Sequence, residues 1–356
     1  MIQAIEHLDP AVEREVSAFL LSMPEESGAC GEHDPRWLHV LKDALGHHPM
    51  MLIARAGGES SPITGYLPLA LVASRLFGRF LVSLPYLNRA GVVAKDAATA
   101  SELIAKAVRL SDQYKAKYLE LRHCQPIGAA ALAGSRSDKF RMVLNLYENE
   151  EALMKAVGPK VRNLIRKGEK NNLSIRWGGR EVLADFYEVF SVNMRDLGTP
   201  VYSRELFGRI VDQFKGEAEL CVVDFEGKPV SGALLVHDDA RKLTQVPSAS
   251  ALREFNHTSA NMWMYFKLLM RSMERGSRRF DFGRSSEGSG TYKFKEQWGA
   301  LPQPTVWQFH VPPKSTADIA SMRPDNPKNQ RRIAIWQKLP VWLTRVVGPR
   351  IVRGIP

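Results

Sequence analysis

Lys293 and Lys295 stand inside an aromatic run, Tyr292, Phe294 and Trp298, that follows a Gly/Ser-rich loop. Before the loop comes a short strand at 280–282, apolar-acid-apolar around Asp281, which is expected to break at Gly283 with Arg284 just beyond. A loop of this kind leaves backbone N–H groups free and sets a cation beside them. An anionic or thioester-bearing substrate requires that combination. The other reading is a surface loop with two solvated lysines.

Such residues need elements to hold them, and the chain supplies similar elements twice. Pro62-Ile63-Thr64-Gly65-Tyr66-Leu67 matches Pro229-Val230-Ser231-Gly232-Ala233-Leu234 as P-[IV]-[ST]-G-x-L. Each copy follows an apolar run and a turn, Gly57-Gly58-Glu59 or Glu226-Gly227-Lys228. Downstream, 101–117 and 258–275 carry apolar residues at helical period. Each helix leads into an apolar-acid-apolar strand, Leu119-Glu120-Leu121 or Phe280-Asp281-Phe282. Each half therefore reads helix, helix, three-strand meander, long helix, strand, strand. That order fits an α/β (α+β) fold of two mixed sheets with helices on their faces. In the GNAT acyltransferase fold, the long helix starts beside a splayed strand pair whose exposed backbone groups hold a thioester-bearing cofactor. Two tandem GNAT-like halves are expected: 1–150, then 151–311 opened by a basic helix, then a linker and amphipathic tail over 312–356.

The basic helix begins at Pro159, a residue suited to a first helical turn. Val161, Leu164 and Ile165 form its apolar stripe. Arg162 and Arg166 lie four apart and share a face, where two guanidinium groups can grip a phosphate or diphosphate. A solvated basic face is the other reading.

Composition bounds the partners. The 356 residues carry 49 Lys and Arg against 38 Asp and Glu, a formal charge of +11, which favours anionic partners. Cys30, Cys124 and Cys221 are far apart and odd in number, which excludes a disulfide framework and fits a reducing cytoplasm. The nine histidines form no ligand pattern, so no metal is expected. The N-terminus lacks a basic segment before an apolar run, and no apolar stretch is long enough to span a bilayer. The expected location is the cytoplasm, with peripheral contact at the inner face of the membrane through the tail.

Four segments together resemble the FemAB-like acyltransferases, most closely the subgroup associated with PEP-CTERM/exosortase systems and exopolysaccharide loci. They are Gly65–Leu69 through Ser83-Leu84-Pro85-Tyr86-Leu87-Asn88, the basic helix from Val161 to Lys170, Gly198-Thr199-Pro200-Val201, and the 280–298 block with its FDFGRS and FKxxW sequences. The resemblance implies N-acyl transfer to an amine, by attack of the nitrogen on an activated acyl carbonyl. Its acceptor would be a small-molecule or glycan-linked amine on a cell-envelope or exopolysaccharide precursor. The tRNA-using members often carry a coiled-coil arm that this sequence lacks, which favours acyl-CoA over aminoacyl-tRNA as donor. Nucleic acid other than a donor tRNA is not expected as a partner.

Matched by motif, Lys295 is the lysine important for transfer, a cation near the acyl carbonyl or a donor phosphate. Arg284 is the second cation. Lys293 shares a face with Lys295 if the segment is extended, and not if it is helical. Asp281 is a base or an orienter of Arg284, or else a structural partner of a neighbouring arginine. Tyr292 hands a proton to the leaving group or packs in the core, and Trp298 is a packing anchor or a substrate contact. Tyr86 and Asn88 line an acceptor pocket, or Asn88 supports a turn. Residues 198–200 form another wall, and Asn261 caps the long second helix or faces a ligand.

The tail interleaves Trp336, Trp342 and aliphatic residues with Arg331, Arg332, Lys338 and Arg345, and Pro340 divides it into two short helices. Such helices lie on anionic membranes or pack back on the protein. A competing functional class is a non-catalytic GNAT pair that scaffolds a polysaccharide or protein-sorting assembly.

Overall fold

The computed structural model describes residues 1–132, 134–313, 315 and 327–356, the side chains of 327–329 excepted. In chain order the elements are β1 (Ile2–Ile5), α1 (Pro10–Ser22), α2 (Arg36–Leu45), β2 (His48–Arg55), β3 (Ile63–Ser74), β4 (Gly78–Val82), β5 (Val93–Ala94), α3 (Ala97–Gln113), β6 (Leu119–His123) and β7 (Gly134–Arg136). There follow β8 (Lys139–Asn145), α4 (Glu150–Ala156), α5 (Pro159–Lys170), β9 (Ser174–Gly178), α6 (Leu183–Asp196), α7 (Arg204–Gln213), β10 (Ala218–Phe225), β11 (Lys228–Asp238) and β12 (Leu243–Ala251). The chain closes with α8 (Ala260–Glu274), β13 (Arg279–Ser286), α9 (Gly290–Glu296), β14 (Leu301–Pro304), β15 (Val306–His310), α10 (Pro327–Gln337) and α11 (Val341–Val352). Most of the predicted linker over 312–330 lies outside the described residues.

Two mixed sheets result. The first runs β1-β2-β3-β4-β6-β15-β7 with β5 beside β3, and the second runs β14-β8-β13-β12-β11-β10-β9. In each, an antiparallel meander (β2-β3-β4 or β10-β11-β12) is followed by a long helix and a parallel strand, β6 or β13. An antiparallel strand then flanks that parallel strand: β15 on β6, β8 on β13. So β8, from the first 150 residues, belongs to the second sheet, and β15 to the first. The compact units follow the pairing: one holds Met1–Asp138, β15 and Arg350–Pro356; the other holds Lys139–Gln303 and Pro327–Pro349.

The repeated P-[IV]-[ST]-G-x-L segments fall on equivalent strands, β3 and β11, and each sits across a register shift, at Ala54/Arg55 and at Val223/Asp224. Their glycines are required by close approach. A Cβ on Gly65 would meet Leu103 at 2.7 Å and Thr99 at 2.8 Å on α3. One on Gly232 would lie 2.9 Å from the Cys221 carbonyl oxygen.

In the first unit, Leu103, Ile104, Ala107 and Leu110 of α3 bury against Leu52, Leu67, Leu81 and Leu119 of the sheet. In the second, α8 supplies Met264, Phe266, Leu268 and Leu269 to a core shared with Val161 and Ile165 of α5. The two helices approach closely because residue 168 is glycine; a Cβ there would lie 2.5 Å from that of Trp263. The strand expected to break at Gly283 instead continues to Ser286. Its ladder with β8 shifts between Asp281 and Arg284, and Gly283 absorbs the bulge at φ 77°.

Candidate functional site

The parallel pairing of β12 and β13 lasts three residues and ends at Gln245 opposite Asp281. Beyond that point β12 follows β11 to Ala251, and β13 follows β8 to Ser286. The strands part into a splay, and the bulge at Gly283 sits at its mouth. A Cβ on Gly283 would stand 3.4 Å from the Val246 carbonyl oxygen, so a side chain there would crowd the gap.

The helix α9 is set against this splay. Ser289 caps it, accepting from the Tyr292 N–H and donating to the Ser286 carbonyl. Aromatic packing fixes its roll: Phe294 meets Tyr265 edge-on at 4.9 Å, Tyr265 stacks on Phe282 at 5.5 Å, and Tyr292 meets Phe140 edge-on at 6.3 Å. Trp298 is 1% exposed. Tyr292, Lys295 and Trp298 recur every third residue and form the inward stripe.

That stripe buries Lys295, whose Nζ donates to the carbonyls of Gly283 at 3.0 Å and Arg284 at 3.2 Å. Burial pushes its amine down to about 8, against the pull of Asp281 and with the push of Arg284. An ammonium has three N–H donors, and these carbonyls take two. The segment is helical, so Lys293 faces solvent, away from Lys295.

Asp281 is a structural partner. Arg141 of β8 donates to its Oδ2 at 2.5 Å, the Gly283 N–H to its Oδ1 at 2.9 Å, and Arg141 also reaches Gln303 at 2.7 Å. Both charged groups are buried. Both carboxylate oxygens are engaged in holding the bulge. Glu120, its counterpart in the first unit, is likewise paired, with Arg122 at 2.6 Å. Replacing Asp281 by Asn leaves Arg141 buried without its counter-charge, and is expected to cost about 3 kcal/mol in urea unfolding. Adding Arg141→Met should recover most of that loss; no recovery would show that the pair is not the cause.

Arg284 lies half-buried on β13, opposite Arg141 in the ladder. Ser285, the next residue, keeps its hydroxyl buried without a hydrogen-bond partner among the described residues, and so does the Trp298 indole N–H. No local pattern around Ser285 sets it apart from the other serines of this stretch. Tyr292 packs in the core cluster. Arg162 is turned back so that its Nη1 donates to the carbonyls of Met154 and Val157 at the end of α4. Arg166 is exposed on α5. Asn261 is not the cap of α8: Ser259 occupies that place at φ 63°, without a side-chain cap bond.

Tyr86 and Asn88 belong to the first unit, in a turn after β4. Leu84 and Tyr86 take φ 56° and 76°, a conformation costly for residues with side chains. Buried partners hold it. Glu32 accepts from the N–H groups of Asn88 at 2.5 Å and Arg89 at 2.7 Å. Arg122 donates to the carbonyls of Leu84 and Leu87, its guanidinium lying 4.0 Å over the Trp307 ring. Trp307 donates to the Asn88 carbonyl at 3.2 Å. The main chain of Asn88 supports the turn, and the Tyr86 ring lies 6.4 Å from that of Trp37. Glu32 and Arg122 went unrecognised in the sequence, because their partners are backbone groups distant along the chain.

Residues 159–296 match the family model of an acetyltransferase (GNAT) domain. No curated protein matches the sequence. Among solved structures, the chain is similar to FemX, at 14% identity and TM-score 0.63 over 94% of this chain and 100% of that one. It is also similar to L-PGS from Bacillus licheniformis, at 12% identity and TM-score 0.55 over 97% and 98%. A tandem GNAT protein from the clavulanic acid biosynthesis pathway aligns at 14% identity and TM-score 0.56 over 87% and 98%. The fold is a tandem GNAT-like one, as the element order implies.

Proposed function

We propose that this chain is an N-acyltransferase that moves an acyl or aminoacyl group from an activated donor to an amine on a cell-envelope or exopolysaccharide precursor. The reading rests on Lys295: a buried ammonium at the mouth of the splay, with one N–H unspent among the described residues. The acceptor nitrogen attacks the acyl carbonyl carbon, and the carbonyl oxygen becomes a tetrahedral oxyanion. Lys295 donates its third N–H to that oxygen, where charge develops in a site screened from water. Collapse expels a thioester donor as its thiolate, the proton lost by the amine leaving to solvent, or an ester donor as an alkoxide that takes up that proton and departs as a hydroxyl.

Acyl-CoA is the favoured donor, with aminoacyl-tRNA the alternative. The parted backbone edges of β12 and β13 suit an extended thioester arm. The first turn of α8, a helix of 15 residues without a side-chain cap bond, suits an anionic group. The likeness in fold to FemX and to L-PGS fits an envelope precursor as acceptor, and the finer proposal is the PEP-CTERM-associated subgroup.

Thermal melting with acetyl- and longer acyl-CoA, and separately with tRNA, tests the donor. A thioester at a hundred times its dissociation constant should add about 2.7 kcal/mol of stability, and thiol release should then require an added amine. Stabilisation by tRNA alone would move the donor to aminoacyl-tRNA. No response to either would favour the non-catalytic scaffold.

A further inference from the structure

The tail has two faces. Its inward face is tied to the second unit around residues 188–201. Ile333 of α10 packs on Gly198, where a Cβ would lie 2.4 Å from the Ile333 Cγ2. Gln337 donates to the Asp196 carbonyl at 2.9 Å, and Arg195 to that of Leu339 at 3.4 Å. Arg345 of α11 donates to the Ser191 hydroxyl at 2.8 Å and pairs with Glu188 at 2.5 Å. Gly348 sits where a Cβ would be 2.8 Å from the Val201 side chain. These contacts fix the roll of both helices.

The outward face is therefore also fixed. On α11 it carries Trp342 and Val346, 66% and 52% exposed, with Arg350 one turn on. On α10 it carries Ile335, 64% exposed, flanked at helical spacing by Arg331 and Lys338. Leu197, next to the carbonyl that Gln337 holds, is also exposed. A run of apolar residues so open to water marks an interaction site. From 330 to 356 the chain has Arg331, Arg332, Lys338, Arg345, Arg350 and Arg353 and no acidic residue.

We propose that this α10–α11 face docks on an anionic phospholipid surface. Tryptophan with short aliphatics suits the boundary between headgroups and acyl chains, and the flanking bases match negative headgroups. At 12 residues α11 is too short to cross a bilayer, and no helix among the described residues is long and apolar enough to do so. Contact is therefore lateral. This inference goes beyond the transfer reaction and does not depend on it.

Flotation of the full-length protein tests it, using phosphatidylcholine vesicles with and without about 30% phosphatidylglycerol at about 0.1 M salt, where screening is moderate. The protein should float with the anionic vesicles only, and less at higher salt. Arg331→Gln/Arg332→Gln/Lys338→Gln should weaken binding about fivefold per charge removed, or about a hundredfold together. Trp342→Ser/Val346→Ser should weaken it at least about tenfold through lost apolar burial. Both variants should melt as the parent does, because the altered side chains face water. Wild-type protein remaining at the bottom of the gradient would overturn the proposal, as would unchanged flotation of the serine variant. So would a parent dimer that the serine variant turns into a monomer while vesicle binding persists, since the face would then be a contact between protein chains.

Discussion

Lys295→Met is expected to abolish the proposed transfer while costing the fold little. The loss of turnover should reach a thousandfold or more, about 4 kcal/mol of transition-state stabilisation, because the proposed oxyanion donor is removed. The stability cost is limited by the depressed amine. Its folded value is about 8 against an ordinary 10.5, so near pH 7 holding the charge in the fold costs about 3 kcal/mol. Methionine removes that cost and fills similar volume. It also forfeits two charge-assisted bonds to the Gly283 and Arg284 carbonyls, worth about 1.5–3 kcal/mol each. The net expectation at pH 7 is a loss of up to about 3 kcal/mol in urea unfolding. The pH dependence gives a second check. Between pH 8 and 10.5 the unfolded wild-type chain binds more protons than the folded one, so wild-type stability rises with pH, and the deficit of methionine should grow across that window. Arginine should not restore activity, since a planar guanidinium cannot reproduce the three-way geometry of an ammonium. A methionine variant that retains a tenth of the activity would remove Lys295 from the centre of the mechanism.

Much of this arrangement was legible in the chain, and the unread part has a common cause. The repeated P-[IV]-[ST]-G-x-L segments revealed the two meanders because a glycine under a helix and a bulge at the strand start are local requirements. Lys295 stood out because it lies in an aromatic block. The helical state of that block could also have been read: Ser289 is a good cap, and Tyr292, Lys295 and Trp298 recur every third residue. What local pattern cannot supply is the partner across the sheet. That Gly283 is a bulge in a continuing strand depends on β8, whose Arg141 lies 140 residues before the Asp281 it neutralises. The same limit hid Glu32, whose carboxylate holds a turn 56 residues away. Arg162 shows the same limit from the other side: its spacing to Arg166 suits an anion, and that spacing does not reveal that the carbonyls of Met154 and Val157 engage its Nη1.

Acid should unfold the first unit early, through two histidines held neutral in its interior. Burial brings His47 down to about 4, assisted by the charge of Arg353, and burial brings His123 to about 4 as well. The geometry around His123 explains why it resists a proton. Gln308 spends its amide N–H on the Ile127 carbonyl at 2.9 Å, so its Oε1 is the acceptor that faces the His123 Nδ1 at 3.1 Å. The hydrogen therefore sits on Nδ1, and Nε2 is left as a buried lone pair with no partner among the described residues. A proton added there would make a buried cation with an unmet donor. Gly91 presses on the same ring, since a Cβ at that position would lie 2.1 Å from the His123 Cδ2. The unfolded chain takes up protons on both residues near the ordinary 6.5, so between pH 6.5 and 4 it binds more than the folded chain, and stability falls as pH falls. Each residue contributes about 3 kcal/mol over that window. Glu219 acts in a separate range. Its bonds from His237 and Arg271 outweigh burial and hold it at about 2, so its contribution is lost only below about 4.5. Urea unfolding at pH 7 and pH 5 thus isolates the histidines. A His47→Asn/His123→Asn variant should show a loss between those pH values about 4 kcal/mol smaller than the parent's, and an equal loss in the two proteins would mean that these rings do not set the acid limit.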